Sequence, residues 1–115
     1  MTQRLATYGT LGPGRSNHHH VADLPGRWVA GTVRGRLLAI GWGAAQGFPG
    51  IVLDPAADAV PVEVLESDGL PDRWPHLDAF EGPSYVRTLV DVHTAEGPLP
   101  AYIYALADDA VARSS

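Results

Sequence analysis

Glycine and proline recur every few residues along this chain. Its 115 residues include 13 Gly and 10 Pro, about a fifth of the total, where average usage is about 12%. Glycine weakens helices by its conformational entropy and proline by its missing amide hydrogen. The pattern excludes a helical bundle or coiled coil and favours short strands joined by turns. At this length we expect one domain, residues 1–115, with a polar tail, residues 108–115, that frays.

Charge and composition exclude several classes of function. The net charge is −5 and all eight basic residues are arginine, so the chain lacks the basic field that nucleic acid or an anionic membrane requires. There is no cysteine, which excludes disulfides, thiol nucleophiles and Cys-ligated zinc. Neither a signal-peptide core nor an apolar run of about 18 residues occurs. We expect a cytoplasmic protein with no nucleic-acid or membrane partner, and the sequence does not indicate its oligomeric state.

Alternating apolar residues predict a set of short strands. They cover residues 4–8, 28–40, 51–53, 60–65, 85–94 and 99–106. Gly31 and Gly35 indicate a bulge or a bend in the second strand, as at the corner of a barrel. Val60, Val62 and Val64 share one face of the fourth. The last two strands read as a hairpin with its turn at residues 96–98.

One segment predicts a helix, over about residues 73–81. Asp72 is a suitable N-cap, Pro75 fits only in a first turn, and Gly82-Pro83 ends the helix. Several strands with one clear helix indicate an α+β domain, most economically a small closed or nearly closed sheet.

The first candidate site is the turn after the first strand, Tyr8-Gly9-Thr10-Leu11, which Gly12-Pro13-Gly14 extends. A strand that ends in a glycine-rich turn can aim backbone N–H groups at one point, where they bind a carboxylate or stabilise an oxyanion. The missing Cβ of Gly9 would let a ligand approach the backbone closely. The alternative is an ordinary strand-to-loop turn.

The second candidate is Glu81. It follows Trp74 by seven positions and Leu77 by four, so it continues the apolar stripe of the helix. A partly buried carboxylate at the negative end of a helix should have a raised pKa, which suits a general base near neutral pH. The alternative is a frayed terminal glutamate that points to water.

The third candidate is the pair Tyr85 and Arg87, which lie two apart on one strand and therefore on the same face. Together they offer a hydroxyl and a guanidinium to an anionic substrate. The alternatives are a solvated strand face, or an ion pair of Arg87 with Glu81 or Glu63. Whether Glu63 lines a cavity or faces water stays open.

Histidines contribute less to the functional reading. The run His18-His19-His20 does not converge easily on one metal ion, and no further ligand stands at helical spacing. We expect a polar loop and no metal site, and we regard His76 and His93 as isolated. The chain has no Gly-x-Ser-x-Gly elbow, so a serine hydrolase is unsupported.

Taken together, these segments resemble the gamma-glutamylcyclotransferase-like family. The matching residues are, in order, Tyr8-Gly9-Thr10-Leu11, Pro13-Gly14, Asn17-His18, Val33-Arg34-Gly35-Arg36-Leu37, Pro49-Gly50, Val62-Glu63-Val64, Leu77-Asp78-Ala79-Phe80-Glu81-Gly82 and Tyr85-Val86-Arg87. Their order and spacing over about residues 5–105 carry the resemblance, and no single block does.

The resemblance implies a fold, an activity and a site. The fold would be a small mixed β-barrel flanked by short helices. The turn at Tyr8 to Leu11 would bind the glutamyl end of a small-molecule substrate, and Glu81 would be the catalytic acid and base. Members of the family release 5-oxoproline from gamma-glutamyl compounds, a reaction that needs no metal and no cofactor.

Two departures from the family pattern keep other hypotheses open. The family strand around Glu63 usually reads Gly-Glu-Leu-Tyr, where this chain has Val62-Glu63-Val64-Leu65, and the chain is short for the family. The alternatives are a non-catalytic small-molecule binding module on the same barrel, and an accessory domain that works beside a partner enzyme.

Overall fold

A computed structural model describes residues 3–9, 11–15, 17–38 and 50–107. Within those ranges the chain forms six strands, one α-helix and a single 3-10 turn at His18–His20. In chain order the elements are β1 (Gln3–Thr7), β2 (Arg27–Leu38), β3 (Gly50–Leu53), β4 (Ala59–Ser67), α1 (Leu70–Glu81), β5 (Tyr85–Thr94) and β6 (Gly97–Leu106). The predicted α+β class is confirmed. The end of the predicted second strand, residues 39–40, and the tail at 108–115 lie outside the described residues.

Five strands close into a barrel in the order β1-β4-β2-β3-β6, and β6 returns to pair in parallel with β1. β5 lies antiparallel to β6 along its whole length and also pairs with β2 at Gly31 and Thr32. Because parallel and antiparallel pairs occur together, this is the mixed barrel that the family resemblance implied.

The bend predicted in β2 lies where that strand changes partners. β2 pairs with β4 as far as Arg34 and with β3 from Gly35 onward. A Cβ atom at Gly31 would lie 2.6 Å from Val92 Cγ1, and one at Gly35 would lie 2.7 Å from the Val52 carbonyl. The two glycines therefore allow neighbouring strands to approach closely as the sheet curls.

Alternation along the strands separates two hydrophobic cores. Val60, Val62 and Val64 of β4 point into the barrel, where they join Ile51 and Ile103, as the pattern predicts. The outer core lies between the barrel and α1. It consists of Leu5, Leu11, Val21, Leu65, Leu70, Trp74, Leu77 and Tyr104. This second core fixes α1 against the outer faces of β1 and β6.

The helix begins earlier than predicted. Its N-cap is Gly69, no side chain caps it, and Pro75 lies inside it rather than in its first turn. Asp72 is therefore not the cap. Burial of Leu70, which is 0% exposed, favours the longer helix. Pro75 has no amide hydrogen for the Pro71 carbonyl, and both prolines are exposed, so water can reach that carbonyl. None of the described helices is long and apolar enough to cross a membrane.

The hairpin forms as predicted, with its turn displaced. Thr94 pairs with Gly97, so the turn residues are Ala95 and Glu96 and β6 starts two residues earlier than expected. Gly97 has a φ of 96°, which favours glycine at this position. This register places Tyr104 directly opposite Arg87.

Candidate active site

Glu81 is the last residue of α1, and the local sequence determines where it points. Trp74 and Leu77 of the same helix stripe are buried in the outer core, so Glu81, one turn later, faces the barrel as well. The helix stops because Gly82 adopts a φ of 81°, and its amide donates to the Asp78 carbonyl at 3.1 Å. The carboxylate is thereby held at the junction of helix and barrel.

Burial of Glu81 changes its acidity. Removal from water raises the pKa of Glu81 to about 7, in the direction that the sequence predicts, because desolvation disfavours the charged form. Within the described part of the chain its carboxylate has no hydrogen-bond or ion-pair partner. An unpaired carboxyl group that titrates near neutrality is suited to exchange protons with a bound molecule.

Tyr8, which follows β1, anchors the start of the glycine-rich turn. Its hydroxyl accepts a hydrogen bond from the Ile51 amide at 3.0 Å and donates one to the Tyr104 carbonyl at 2.8 Å. Burial raises the pKa of Tyr8, and the charges of Tyr85 and Glu81 add to this effect. Tyr8 therefore lies within electrostatic range of both Glu81 and Tyr85.

The turn after Tyr8 contains backbone amides whose hydrogen bonds are long. The Gly9 amide donates to Thr7 Oγ1, and the Gly12 amide to the Gly9 carbonyl, both at 3.4 Å, longer than the usual 2.7–3.2 Å. A Cβ at Gly9 would meet no atom of the described chain within 4 Å, so there is room beside its backbone. The side chain of Leu11 is buried in the outer core. Thr10 lies outside the described residues.

Arg87 faces the helix. Its guanidinium binds the Asp78 carboxylate at 3.0 and 3.3 Å and lies 4.5 Å from the ring centroid of Trp74 and 5.1 Å from that of Tyr102. Its ion-pair partner is thus Asp78 and neither of the two glutamates considered from the sequence. A contribution of Arg87 to substrate binding stays a prediction.

Tyr85 and Arg87 do share a face, as predicted, and both line an open cleft of about 320 Å³. The other lining residues are Asp78, Val86 and Tyr104. The Tyr104 hydroxyl donates to Asp78 Oδ1 at 2.7 Å. Although desolvation opposes the shift, the hydrogen bonds from Arg87 and Tyr104 hold the pKa of Asp78 below its usual value. Asp78 in this cleft is therefore ionised, and its carboxylate accepts hydrogen bonds from both Arg87 and Tyr104.

Sequence reasoning missed Asp78 and Tyr104. Asp78 precedes Glu81 by three positions on the helix, so its proximity to the site was readable from helix periodicity. Tyr104 required the correct hairpin register, which the displaced turn obscured. Burial and the Asp78 charge raise the pKa of Tyr104, and the Glu81 charge contributes, so Tyr104 links the cleft to the carboxylate.

The structure also shows what Glu63, His20 and His76 contact. Glu63 lies on the outer face of β4, and its Oε1 would be 3.0 Å from a Cβ at Gly12, so its carboxylate packs against the glycine-rich loop. His20 Nδ1 lies 2.8 Å from His76 Nε2, and His76 is therefore not isolated. No group of three potential metal ligands occurs among the described residues.

Residues 5–115 match the family described as gamma-glutamyl cyclotransferase, AIG2-like. No curated protein matches the sequence. Among solved structures, YkqA from Bacillus subtilis is 30% identical with a TM-score of 0.72, over 92% of this chain and 36% of YkqA. The chain therefore spans about a third of that protein.

Two further structures show the same fold. An AIG2-like protein from Mus musculus is 24% identical with a TM-score of 0.73, over 96% of this chain and 82% of the mouse protein. The allophanate hydrolase of Kluyveromyces lactis is 14% identical with a TM-score of 0.65, over 96% of this chain and 18% of the hydrolase. The same barrel thus occurs both as most of a small protein and as one part of a large enzyme.

Proposed function

Because the chain belongs to the gamma-glutamyl cyclotransferase, AIG2-like family, we propose that it cyclises the gamma-glutamyl group of a small amine or peptide to 5-oxoproline and releases the free amine. One observation carries the proposal. The carboxylate of Glu81 is partly buried, titrates near pH 7 and has no partner within the described chain. A carboxylate that only stabilised the fold would be expected to have a hydrogen-bond or ion-pair partner.

The proposed reaction begins with the α-amino group of the substrate. After losing a proton to Glu81, this amine attacks the γ-carbonyl carbon of the same molecule, and a five-membered ring forms. Glu81 returns this proton to the leaving nitrogen, the carbon–nitrogen bond breaks and the carbonyl re-forms. The ring nitrogen still carries one surplus proton, which passes through Glu81 to the released amine, so the ring closes as a neutral amide and the amine leaves as an ammonium. Nucleophile and electrophile belong to one molecule, so correct folding of the substrate supplies much of the acceleration. Proton transfer by Glu81 contributes about 10²–10⁴-fold.

The glycine-rich turn would hold the reacting carbonyl. During attack its oxygen gains negative charge, which backbone N–H groups stabilise by a few kcal/mol. The loosely bonded amide of Gly9 and the open space beside its backbone support this role for the turn Tyr8-Gly9-Thr10-Leu11. We assign Tyr85 and Arg87 to the substrate's anionic end, with Arg87 shared between that group and Asp78.

A substrate panel tests the proposal. The purified protein is incubated with gamma-glutamyl amines and gamma-glutamyl peptides, and 5-oxoproline is measured by mass spectrometry. We expect release from at least one substrate, with an equal amount of free amine. Thermal stabilisation by a gamma-glutamyl compound without turnover would contradict the enzyme and favour the binding module.

The accessory-domain hypothesis makes a different prediction. The likeness to one part of a larger hydrolase is the observation that favours it. In that case the isolated chain would neither turn over nor bind any member of the panel, and it would co-purify with a larger hydrolase. A solitary chain that releases 5-oxoproline would exclude this hypothesis.

A further inference from the structure

The histidine run has a structural connection to the glycine-rich turn. His18 opens the 3-10 turn at His18–His20, and its ring lies 5.6 Å from the ring of Trp28. Its Nδ1 lies 2.9 Å from the carbonyl oxygen of Leu11. A carbonyl oxygen only accepts hydrogen bonds, so Nδ1 must carry the hydrogen. Both the neutral ring in this tautomer and the protonated ring supply that donor.

This hydrogen bond determines the orientation of one peptide group in the turn. A peptide unit is planar, and its C=O and N–H point in opposite directions. Holding the Leu11 carbonyl therefore also directs the Gly12 N–H, which donates to the Gly9 carbonyl at 3.4 Å and closes the turn. The Leu11 side chain is restrained as well, because it is 4% exposed and packs in the outer core.

The segment that carries His18 is itself fastened to the barrel and to α1. The Val21 amide donates to the His18 carbonyl at 2.9 Å, and the Val21 side chain is 1% exposed. Arg73 of α1 donates to the His20 carbonyl at 2.7 Å and pairs with Asp23 at 2.7 and 2.9 Å. His18 therefore donates from a fixed position.

We propose that His18 is a positioning residue for the cyclisation: by holding the Leu11–Gly12 peptide it keeps the Gly12 N–H on the Gly9 carbonyl, and so fixes the Gly9 backbone beside which the substrate would lie. The inference rests on the proposed function, since it gives His18 a part in that reaction. It assigns no proton transfer to His18.

Three variants test this assignment. In His18→Ala the donor is lost. In His18→Asn it is retained, because Asn Nδ2 is as many bonds from Cβ as His Nδ1. His19→Ala is the matched control, since His19 is exposed and its ring contacts only that of His20 in the described structure.

The first readout is kinetic. We expect His18→Ala to lower kcat/KM for 5-oxoproline release about tenfold, the effect of one lost hydrogen bond, and to melt a few degrees below the wild type while staying folded at the assay temperature. His18→Asn should restore most of that loss, and His19→Ala should match the wild type. Full kcat/KM in His18→Ala, or no rescue by a folded His18→Asn, would overturn the proposal.

The second readout needs no turnover. In ¹H–¹⁵N spectra of the substrate-free protein, the Gly12 amide resonance should move in His18→Ala and return in His18→Asn. An unmoved resonance in His18→Ala would overturn the positioning role. If the wild type releases no 5-oxoproline while the resonance behaves as expected, the proposed function fails and the peptide geometry stands, so the two failures are distinguishable.

Discussion

At the scale of single residues, Glu81 combines burial with the absence of a partner in the described structure. Its pKa of about 7 means that near neutral pH the group is divided between its two protonation states. This makes it able both to accept a proton from an ammonium group and to return one. The same desolvation makes the charged form of Glu81 unfavourable for the fold.

Glu81→Gln should therefore stabilise the protein at high pH. The carboxyl group favours folding fully below its unfolded pKa near 4.5, and this contribution is lost as pH rises through about 7. Each pKa unit corresponds to about 1.4 kcal/mol, and partial exposure reduces the sum, so we expect a gain of about 1–3 kcal/mol at pH 8 and almost none at pH 4. Urea unfolding at both pH values measures it. An equal effect at both would contradict the raised pKa.

Gly9 gives a second prediction for a single residue. Its φ is not positive and a Cβ there meets nothing within 4 Å in the described chain, so Gly9→Ala should fold with a melting temperature close to that of the wild type. If the substrate approaches this backbone, the added methyl group should raise KM for the gamma-glutamyl substrate about tenfold. Unchanged kinetics would place the substrate elsewhere.

At the scale of elements, α1 is stabilised mainly by packing of its buried face against the barrel. The helix has no side-chain cap and contains an interior proline, so its intrinsic stability is low. Packing of Leu70, Trp74 and Leu77 against the barrel compensates. The contact of Arg87 with Asp78 and Trp74 fastens its last two turns to β5.

Arg87→Ala should lower the free energy of unfolding by weakening the contact between α1 and β5. The variant loses a two-point ion pair and a cation–π contact, so we expect a decrease of about 1–2 kcal/mol in the free energy of unfolding. Arg36→Ala is the matched control, because Arg36 lies 3.8 Å from Asp54 in an exposed pair and should change stability by less than about 0.5 kcal/mol. Urea titration compares the two. Equal effects would contradict a special role for Arg87.

The sequence predicts these elements to different degrees. Strand β5 has the predicted bounds, because its alternating β-branched residues end at clear turn signals. The helix start was misplaced because burial of Leu70 is a tertiary effect that local capping signals do not report. The hairpin register depended on where Gly97 lies: it has a positive φ and already pairs with Thr94, so it belongs to the strand and not to the centre of the turn.

At the scale of the whole molecule, the barrel has one weakly paired seam, the contact between β3 and β6. Among the described residues, β3 and β6 pair at one position, Ile51 with Ala105. The Tyr8 hydroxyl bridges the same two strands through Ile51 and Tyr104. Tyr8, which precedes the glycine-rich turn, therefore also holds β3 and β6 together where the barrel closes.

Tyr8→Phe removes that closure without changing the shape of the ring. It leaves a partly buried amide and a carbonyl without this partner, and we expect a loss of about 1–3 kcal/mol in the free energy of unfolding. Hydrogen exchange at the Ile51 amide should accelerate more than exchange in β4. Unchanged stability would mean that the seam does not depend on Tyr8.

Long-range contacts were the part of the site that the sequence could not supply. The predicted positions of Tyr8 and Glu81 were local inferences, from a turn and from a helix stripe. Their proximity arises because β1 and β6 pair in parallel and the buried face of α1 packs in one core with Leu5 of β1 and Tyr104 of β6. The His18 contact with Leu11 likewise depends on how the loop folds back, and no residue pattern encodes it.

The most direct test of the role given to Glu81 is the pH dependence of kcat/KM for 5-oxoproline release. In the wild type we expect kcat/KM to fall about tenfold per pH unit below pH 7, because the base must be ionised. Glu81→Gln should release 5-oxoproline about 10²–10⁴-fold more slowly at every pH, while Glu96→Gln, on the exposed hairpin turn, should follow the wild type. Release by Glu81→Gln at the wild-type rate, with the wild-type pH dependence, would contradict the account.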